Sequence, residues 1–231
     1  MYLAIIPAFN EDKSIVTIVK ETKKYVDRVI VVDDSSWDKT QELARRSGAI
    51  VLRHLKNRGV GAAMITGLKY ARKLKPEIVV TLDADGQHKP EDIPRIMHPI
   101  IVDKADWVLG SRFLKGLPAD TSPIKYIGNE IFTFLTSLLA GVRLTDTQTG
   151  FRALNGRALL ALELVSEFTY TQEMILDLTC KGYRVVEVPI QVRPRKQGNS
   201  KVASNFVEYG FKSLVIILST YLRQKLMGEK N

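Results

Sequence analysis

The chain has 231 residues, of which 45% are apolar, and a single cysteine, Cys180. This composition suits one well-filled α/β domain. It excludes wholesale disorder, a disulfide framework and a cysteine-based metal site, and it predicts a reducing compartment with Cys180 in the core. The formal net charge of +9 suits a nucleic-acid partner, anionic lipid headgroups, a phosphorylated substrate or merely a lysine-rich surface, and charge alone does not separate these.

Strand-like runs alternate with amphipathic segments of helix length through the first half of the chain. Several strands are continuous β-branched runs, such as Val29–Val32, as expected when both faces of a parallel sheet are covered. The alternation favours βαβ units in a Rossmann-like layered sheet. The predicted strands are Tyr2–Pro7, Arg28–Val32, Ile50–Arg53, Ile78–Leu82 and Trp107–Gly110. The predicted helices are Lys13–Tyr25, Lys39–Arg46, Val60–Leu74 and Pro90–Val102.

The second half of the chain is richer in helix. No stretch reaches the roughly 18 apolar residues needed to cross a bilayer, and the N-terminus lacks the basic region and cleavage site of a signal peptide. The predicted elements are helices at Ile124–Ala140, Gly156–Leu164 and Thr171–Lys181, a strand at Val185–Val192, and a final helix at Phe206–Gln224.

Polar and acidic clusters follow three of the predicted strands, at the point where each strand ends. Open parallel sheets bind ligands beyond the carboxyl ends of their strands, so a site is expected there. One acidic residue at such a position could be a helix N-cap, as we expect for Asp38, but three clusters at one edge favour a functional site. The clusters are Pro7–Glu11, Asp33–Asp38 and Asp83–His88.

The sequence Asp83-Ala84-Asp85, followed by Gly86, indicates a site for a hard divalent cation. Magnesium and manganese accept one or two carboxylates together with phosphate oxygens of a substrate. The alternative is an Asx turn that caps the helix after Pro90. The neighbouring clusters favour the metal site.

These clusters belong to a longer ordered series of motifs, namely Pro7–Glu11, Asp33–Ser35, Asn57–Gly61, Asp83–Gln87, Gly110–Phe113, Asp146–Arg152, Glu187–Ile190 and Arg195–Lys201. The series resembles that of family 2 glycosyltransferases with the GT-A fold, and its later members resemble the dolichyl-phosphate mannose and glucose synthase branch. The resemblance covers residues 1–201, which we take as one domain, and leaves a C-terminal amphipathic helix and tail over residues 202–231. At position 35 the family often has glycine, whereas this chain has Ser35.

The resemblance implies inverting transfer of a hexose from a nucleotide diphosphate sugar to a polyprenyl (dolichyl) phosphate. The donor stays open among GDP-mannose, UDP-glucose and UDP-N-acetylhexosamine, because they share these motifs. Asp33 is expected to reach the base, and Asp85 to act in catalysis. The residues implied to bind the nucleotide sugar are Pro7, Phe9, Glu11, Val31, Asp33, Asp83, Ala84, Arg195 and Lys201. The residues implied to hold Mg²⁺ or Mn²⁺ are Asp83, Asp85 and Gln87.

Three cationic side chains, Arg112, Arg195 and Lys201, are expected to gather phosphate groups of the donor or acceptor, with Arg112 acting in catalysis. The leaving diphosphate gains negative charge as the glycosidic bond breaks. A divalent cation and the planar fork of arginine neutralise that charge where it develops. The alternative for Arg112 and Arg195 is an ordinary surface salt bridge.

The nature of the acceptor decides whether a base is needed. A hydroxyl acceptor needs a general base, for which Glu173 is the candidate catalytic residue. A lipid phosphate, with a second pKa of about 6, is already largely an anion, and Glu173 then positions groups or faces solvent. Lys125 and Asn129 share one face of the helix at Ile124–Ala140 and are implied to bind the acceptor phosphate. The alternative is a solvated polar face above an apolar stripe that faces the core.

The final helix combines a wide apolar face with a thin polar stripe. It is predicted to dock on a membrane surface or on a small membrane-protein partner, and the alternative is packing on the protein's own core. We therefore expect a cytoplasmic protein that is peripheral on the cytoplasmic face of a membrane. No nucleic-acid partner is expected, since basic and aromatic residues do not interleave on one surface. Two other functions stay open: a transferase with another glycan or lipid acceptor, and a nucleotide-binding protein without transferase activity.

Overall fold

Seven strands form one sheet in the computed structural model, which describes residues 1–116, 123–193 and 206–228. Helices cover both faces of this sheet. The strands are β1 (Tyr2–Ala8), β2 (Arg28–Asp33), β3 (Ile50–Arg53), β4 (Ile78–Thr81), β5 (Trp107–Ser111), β6 (Arg152–Asn155) and β7 (Val185–Pro189). The helices are α1 (Ile15–Thr22), α2 (Thr40–Arg46), α3 (Val60–Leu74), α4 (Ile93–Ile101), α5 (Pro123–Ala140), α6 (Gly156–Ala161), α7 (Thr171–Cys180) and α8 (Phe206–Gly228).

The strand order across the sheet is β3-β2-β1-β4-β6-β5-β7. Strand β6 is antiparallel to both of its neighbours, and the other strand pairs are parallel. The carboxyl ends of β1, β2 and β4 therefore meet at one edge of the sheet, which we call the carboxyl edge. The predicted α/β fold with a mostly parallel central sheet is confirmed.

Two hydrophobic layers enclose the sheet, because its central strands are apolar on both faces. Ile6 and Val31 belong to the layer shared with α1, α2 and α4, whereas Ile5 and Ile30 belong to the layer shared with α3, α6 and α7. All four side chains are completely buried. Burying one such side chain contributes about 1.5–3 kcal/mol, so these strands anchor the loops that extend from the carboxyl edge.

Three local features differ from the sequence-based expectations. Strand β6 was not predicted, because four residues that begin with Arg152 carry no clear alternating pattern. Strand β7 ends at Pro189 rather than Val192, since proline has no N–H for a strand ladder. The expected burial of Cys180 is wrong: the buried part of α7 ends at Leu178, and Cys180 is exposed.

Helix α8 packs against α7 through polar contacts. Arg223 Nη2 donates a hydrogen bond to Glu173 Oε1 at 3.1 Å, and Gln224 Nε2 donates one to Asp177 Oδ1 at 2.6 Å. Among the helices in the described ranges, none has the length and apolar character needed to cross a membrane. The predicted boundary between residues 201 and 202 lies outside the described residues, so the division of the chain there stays a prediction.

Candidate active site

The loops that follow β1 and β2 are joined by hydrogen bonds at the carboxyl edge. The backbone N–H of Asn10 donates to Ser36 Oγ at 2.9 Å, and that of Glu11 donates to Thr40 Oγ1 at 2.7 Å. In return, the Trp37 N–H donates to Asn10 Oδ1 at 3.0 Å. The predicted clusters Pro7–Glu11 and Asp33–Asp38 therefore form one continuous surface, which we call the wall.

An aromatic pair stands on this wall. The rings of Phe9 and Trp37 meet edge to face, with centroids 5.2 Å apart, and Trp37 is 82% exposed. Phe9 was predicted to be a binding residue, whereas Trp37 was not. The signal that could have identified Trp37 is a large aromatic residue directly after the acidic cluster of a strand end, where an apolar ring has no core to join.

Asp33 ends β2 and is completely buried. Its Oδ1 accepts a hydrogen bond from the Ser36 N–H at 3.3 Å, and its Oδ2 lies 3.5 Å from Arg53 Nη1. Within the described residues, Oδ2 accepts no hydrogen bond. A buried carboxylate oxygen without a donor is costly unless another group supplies one, which makes Asp33 a candidate acceptor for a ligand N–H.

Asp34, which was not singled out from the sequence, fixes the loop before α3. Its carboxylate accepts hydrogen bonds from the backbone N–H groups of Arg58 at 3.0 Å and Gly59 at 2.8 Å, and it contacts His54 Nδ1 at 2.7 Å. Gly59 has φ +97°, a conformation that favours glycine. The Asn57–Gly61 motif is therefore held against the end of β2 by a buried anion.

Ser35 adopts the left-handed conformation, with φ +66°. This explains why glycine is common at the matching position of the family that the sequence resembles, since a side chain there costs about 1–2 kcal/mol. The turn is kept in this chain with a non-glycine residue.

Replacing Ser35 with glycine is expected to raise the free energy of unfolding by about 1 kcal/mol, because the left-handed strain is relieved. Denaturant unfolding followed by circular dichroism measures the change. Ser47→Gly is the matched control: Ser47 has φ −79° and donates to the Leu43 carbonyl at 2.8 Å, so glycine should destabilise the protein there. If Ser35→Gly unfolds at a lower denaturant concentration than the wild type, Ser35 is not strained.

The third cluster follows β4. The Asp83 side chain is 40% exposed, and the Asp83 N–H donates to His88 Nδ1 at 3.2 Å. Burial lowers the pKa of His88 to about 4, so its neutral ring can accept that hydrogen bond. Asp85 Oδ1 accepts from the Gln87 N–H at 3.0 Å, which is the Asx turn considered as an alternative. It does not cap a helix, because the short 3₁₀ turn at Pro90–Asp92 has Lys89 as its N-cap residue and α4 has Asp92.

The donor set of this turn fits Mg²⁺ or Mn²⁺ when a substrate completes the coordination. Asp83 and Asp85 supply two partly exposed carboxylates on one short loop, and Gln87 adds an amide oxygen. No group of three or more His, Cys, Asp and Glu side chains in the described ranges could hold a metal. Magnesium sites of one or two carboxylates plus substrate phosphates have this composition.

Gly150 lies directly against Asp83. A Cβ atom at Gly150 would lie 2.7 Å from Asp83 Oδ1 and 2.9 Å from Oδ2, and the Gly150 carbonyl accepts from Thr81 Oγ1 at 2.7 Å. The position of the Asp83 carboxylate thus requires glycine at residue 150. Sequence reasoning placed Gly150 in a motif but gave it no role.

Arg152 holds the loop that carries Gly150. Its guanidinium is completely buried and donates to the carbonyls of Thr147, Thr149 and Thr171 at 3.0, 2.9 and 2.7 Å. Burial lowers its pKa to about 10, so it is still a cation at neutral pH. A buried cation with three carbonyl partners stabilises the loop behind the two aspartates.

Arg112 forms a bidentate ion pair. Its Nε and Nη2 donate to Asp146 Oδ2 and Oδ1 at 2.6 and 2.9 Å, and the Asp146 N–H donates to Glu187 Oε1 at 3.0 Å. The carboxylates of the Asp146–Arg152 and Glu187–Ile190 motifs therefore orient Arg112 at the end of β5. The partner of Arg112 is thus a buried carboxylate, so this is not the surface salt bridge considered as the alternative. Phosphate binding by Arg112 stays a prediction.

Glu173 is 2% exposed, so it does not face solvent as one alternative held. Its carboxylate accepts the N–H groups of Val165 and Ser166, each at 2.9 Å, and a hydrogen bond from Arg223. These contacts give Glu173 a structural role and leave a general-base role without support.

The segment held by Glu173 abuts the first turn of α3. The Ala62 N–H donates to the Glu167 carbonyl at 3.1 Å, and a Cβ atom at Gly61 would lie 2.4 Å from the Ser166 carbonyl oxygen. Arg58 also forms an ion pair with Glu167. A chain of direct contacts therefore links α8, through Glu173, to the Asn57–Gly61 loop.

Two predicted binding residues lie in the core instead. Val31 is completely buried within β2, and Ala84 is 3% exposed, and both side chains join the apolar layer against α1 and α4. The Val31 side chain faces the core because alternate residues of β2 point into the two apolar layers, and the roles of Val31 and Ala84 in donor binding stay predictions. Pro7 is buried beside them at the end of β1, while Phe9 and Glu11 lie in the loop at the carboxyl edge.

The remaining predicted residues divide between described and undescribed positions. Arg195, Lys201 and the side chain of Lys125 lie outside the described part of the chain. Asn129 is 3% exposed, and neither its amide oxygen nor its amide nitrogen has a hydrogen-bond partner within the described residues. An unpartnered buried amide suits contact with a polar ligand.

Comparisons with known proteins bear on the class of this site. The family model described as glycosyl transferase family 2 matches residues 3–160. The chain is 35% identical over 209 residues to the UDP-N-acetylglucosamine–dolichyl-phosphate N-acetylglucosaminyltransferase of Methanococcus voltae, covering 81% of this chain and 83% of that protein. It is 32% identical over 221 residues to the undecaprenyl-phosphate mannosyltransferase of Micrococcus luteus, covering 89% and 88% respectively.

Solved structures share the fold. Glucosyl-3-phosphoglycerate synthase from Mycobacterium tuberculosis, in complex with Mn²⁺, UDP and glucosyl-3-phosphoglycerate, superposes with a TM-score of 0.72 at 19% identity. The match covers 95% of this chain and 79% of that one. At this identity the likeness establishes the fold alone.

Proposed function

Because the chain belongs to glycosyl transferase family 2, we propose that it transfers a hexose from a nucleoside diphosphate sugar to a polyprenyl phosphate, with inversion. The observation that carries the proposal is the pairing of two features at the carboxyl edge. Asp33 offers a buried carboxylate oxygen that accepts no hydrogen bond from the described residues, and Asp83 and Asp85 lie at the end of β4. The first suits a nucleobase, and the second suits a diphosphate-bound cation.

Each end of the donor has its own group of residues. Asp33 accepts an N–H of the base, and Phe9 and Trp37 offer it an aromatic surface. Asp83, Asp85 and Gln87 would hold Mg²⁺ or Mn²⁺, which would neutralise the charge that develops on the leaving diphosphate. The glucosyl-3-phosphoglycerate synthase complex, which has the same fold, contains Mn²⁺ together with UDP.

The acceptor is proposed to be a lipid phosphate. The relatives from Methanococcus voltae and Micrococcus luteus are named for dolichyl and undecaprenyl phosphate. The buried amide of Asn129, which has no hydrogen-bond partner among the described residues, suits a phosphate oxygen. Such an acceptor needs no strong base, since its second pKa is about 6. The burial of Glu173 among three donors agrees with this chemistry.

The transfer is a single displacement. A phosphate oxygen of the acceptor attacks the anomeric carbon from the face opposite the diphosphate. The new carbon–oxygen bond forms as the bond to the diphosphate breaks, and the electron pair of that bond leaves with the nucleoside diphosphate. Lys125 and Asn129 would bind and orient the acceptor phosphate, while Arg112, Arg195 and Lys201 would gather phosphate oxygens.

A donor screen tests the proposed function. The protein is incubated with GDP-mannose, UDP-glucose or UDP-N-acetylglucosamine, with and without a polyprenyl phosphate. The lipid product is then identified from its mass by mass spectrometry. We expect one donor to yield a glycosylated lipid phosphate and free nucleoside diphosphate. Transfer to a glycan or another lipid instead would identify a different acceptor, and nucleotide binding without turnover of any donor would refute transferase activity.

Replacing Trp37 with alanine is expected to raise KM for the donor about tenfold or more with little change in kcat, because stacking on one base is worth about 1–3 kcal/mol. Trp37→Phe should restore most of the affinity. Steady-state kinetics at varied donor concentration measure both variants. An unchanged KM in Trp37→Ala would remove Trp37 from the nucleoside pocket.

A further inference from the structure

The chain continues past β7 as a short extension, residues 190–193, which we call the β7 extension. The Ile190 N–H donates to the Ser111 carbonyl at 2.9 Å, at the end of β5. The Gln191 N–H donates to Asp92 Oδ2 at 3.3 Å, in the 3₁₀ turn that follows the Asp83–His88 cluster. The β7 extension therefore leads from the end of β5 toward the proposed cation site.

The far end of the β7 extension lies directly against that cluster. Val192 forms a β-bridge with His88, and the Arg193 N–H donates to the Gln87 carbonyl at 2.8 Å. Lys89 Nζ also donates to Gln191 Oε1 at 2.7 Å. Because Gln87 is one of the three proposed cation ligands, the position of the β7 extension sets the position of a ligand.

The side chain of Arg193 fixes this end of the extension. Its Nη2 donates to Glu91 Oε1 at 3.0 Å, and its Nη1 lies 3.7 Å from Glu21 Oε2, in the last turn of α1. Glu21 Oε2 is buried and accepts no hydrogen bond within the described residues, so the charge of Arg193 compensates it. One guanidinium thus joins the β7 extension to α1 and to the 3₁₀ turn.

Helix α1 contacts the same cluster at its other end. A Cβ atom at Gly86 would lie 3.7 Å from the Cβ atom of Ser14, the N-cap residue of α1. The helix therefore meets the turn directly at Gly86 and, through Glu21 and Arg193, at Gln87. We propose that Arg193 is a positioning residue that sets the affinity of the Asp83–Gln87 turn for its divalent cation. The inference rests on the cation site of the proposed function.

Coulomb forces and positioning predict opposite effects when the charge of Arg193 is removed. A positive charge near a cation site repels the cation, so its removal alone would tighten cation binding. Loss of the two ion pairs instead frees the Gln87 backbone to move. Residues that orient a metal ligand typically affect metal affinity by about 10- to 100-fold, and the partial exposure of these ion pairs predicts the low end of that range.

Titration of the full chain with Mn²⁺ tests this inference. Free Mn²⁺ is followed by electron paramagnetic resonance in the presence of UDP or GDP. Arg193→Met should raise the Kd for Mn²⁺ about tenfold, and Arg193→Lys, which can still pair with Glu91, should recover most of the affinity. The matched control is Arg184→Met, because Arg184 lies before β7 at its opposite end and also pairs with two carboxylates, those of Asp103 and Asp106. This control should bind Mn²⁺ like the wild type.

Circular dichroism melting of each variant accompanies the titrations. If Arg193→Met does not fold, Arg193→Gln takes its place, since it also removes the charge and both ion pairs but leaves a polar side chain beside Glu21 and Glu91. An unchanged or lower Kd in the folded variant would overturn the inference, as would wild-type protein that binds no Mn²⁺ with either nucleotide. The titration needs no turnover, so Mn²⁺ binding that depends on Arg193 in a protein without sugar transfer would refute the proposed function and leave this role of Arg193 standing.

Discussion

Replacing Asp85 with alanine should lower sugar transfer about a thousandfold or more, on the order of 4 kcal/mol in activation free energy, while the fold is retained. The carboxylate lies in a partly exposed turn after β4, where it accepts a hydrogen bond from the Gln87 N–H at 3.0 Å. Its loss therefore removes a proposed cation ligand without opening a cavity in the core. Release of nucleoside diphosphate from the donor measures the effect.

Asp103→Ala provides the control for Asp85→Ala. Asp103 is also exposed and lies before β5, at the opposite edge of the sheet, where it pairs with Arg184. Its variant should keep nearly full activity. A chelator should reproduce the Asp85 defect in wild-type protein, and added Mn²⁺ should reverse it. Full turnover of Asp85→Ala, or turnover insensitive to chelator, would remove the cation from the proposed mechanism.

Replacing Gly150 with alanine should lower transfer about a hundredfold, because displacing a catalytic group by about 1 Å has an effect of that size. The new methyl would lie 2.7 Å from Asp83 Oδ1, so the carboxylate must move away from its present position. The loss should appear mainly as weaker binding of Mn²⁺. Activity titrations with the metal measure this as a higher Mn²⁺ concentration at half-maximal activity.

Gly210→Ala is the matched substitution for Gly150→Ala. Among the described residues its methyl meets only Phe132 Cζ, at 3.7 Å, inside a helix, so it should leave both activity and metal dependence unchanged. Circular dichroism melting of both variants separates misplacement of Asp83 from unfolding. Wild-type metal dependence in a folded Gly150→Ala protein would contradict the role assigned to glycine at this position.

The carboxyl edge was predictable from the sequence because its features are local. Continuous β-branched runs such as Val29–Val32 fix the strands, and the acidic residues that follow them must then lie at one edge. Strand β6 was not predictable in the same way. Its four residues acquire their strand conformation from pairing with β4 and β5. Its buried Arg152 is accommodated because the carbonyls of the preceding loop and of Thr171 converge on it.

Helix rotation was the least predictable property. The sequence of α5 shows which residues share a face but not which face is buried, and the usual preference for an apolar core gave the wrong answer. The polar side is buried because Thr133 meets Thr147, with their Oγ1 atoms 3.2 Å apart, in the loop that leads to Gly150. Val31 illustrates a similar difficulty. The alternation of side chains along a strand shows which residues share a face, but it does not show whether that face contacts the core or a ligand.

The contacts of Glu173 have a thermodynamic consequence. Arg223 of α8 and the backbone N–H groups of Val165 and Ser166 share this one carboxylate. Ser166 in turn abuts Gly61, at the end of the loop that Asp34 holds. If adsorption of α8 to vesicles changes donor affinity by some factor, linkage requires the donor to change vesicle affinity by the same factor. A donor analogue would then act as an allosteric effector of the membrane docking predicted for α8. Arg223→Met, which breaks the shared contact, should bring this factor to one while leaving each binding step in place.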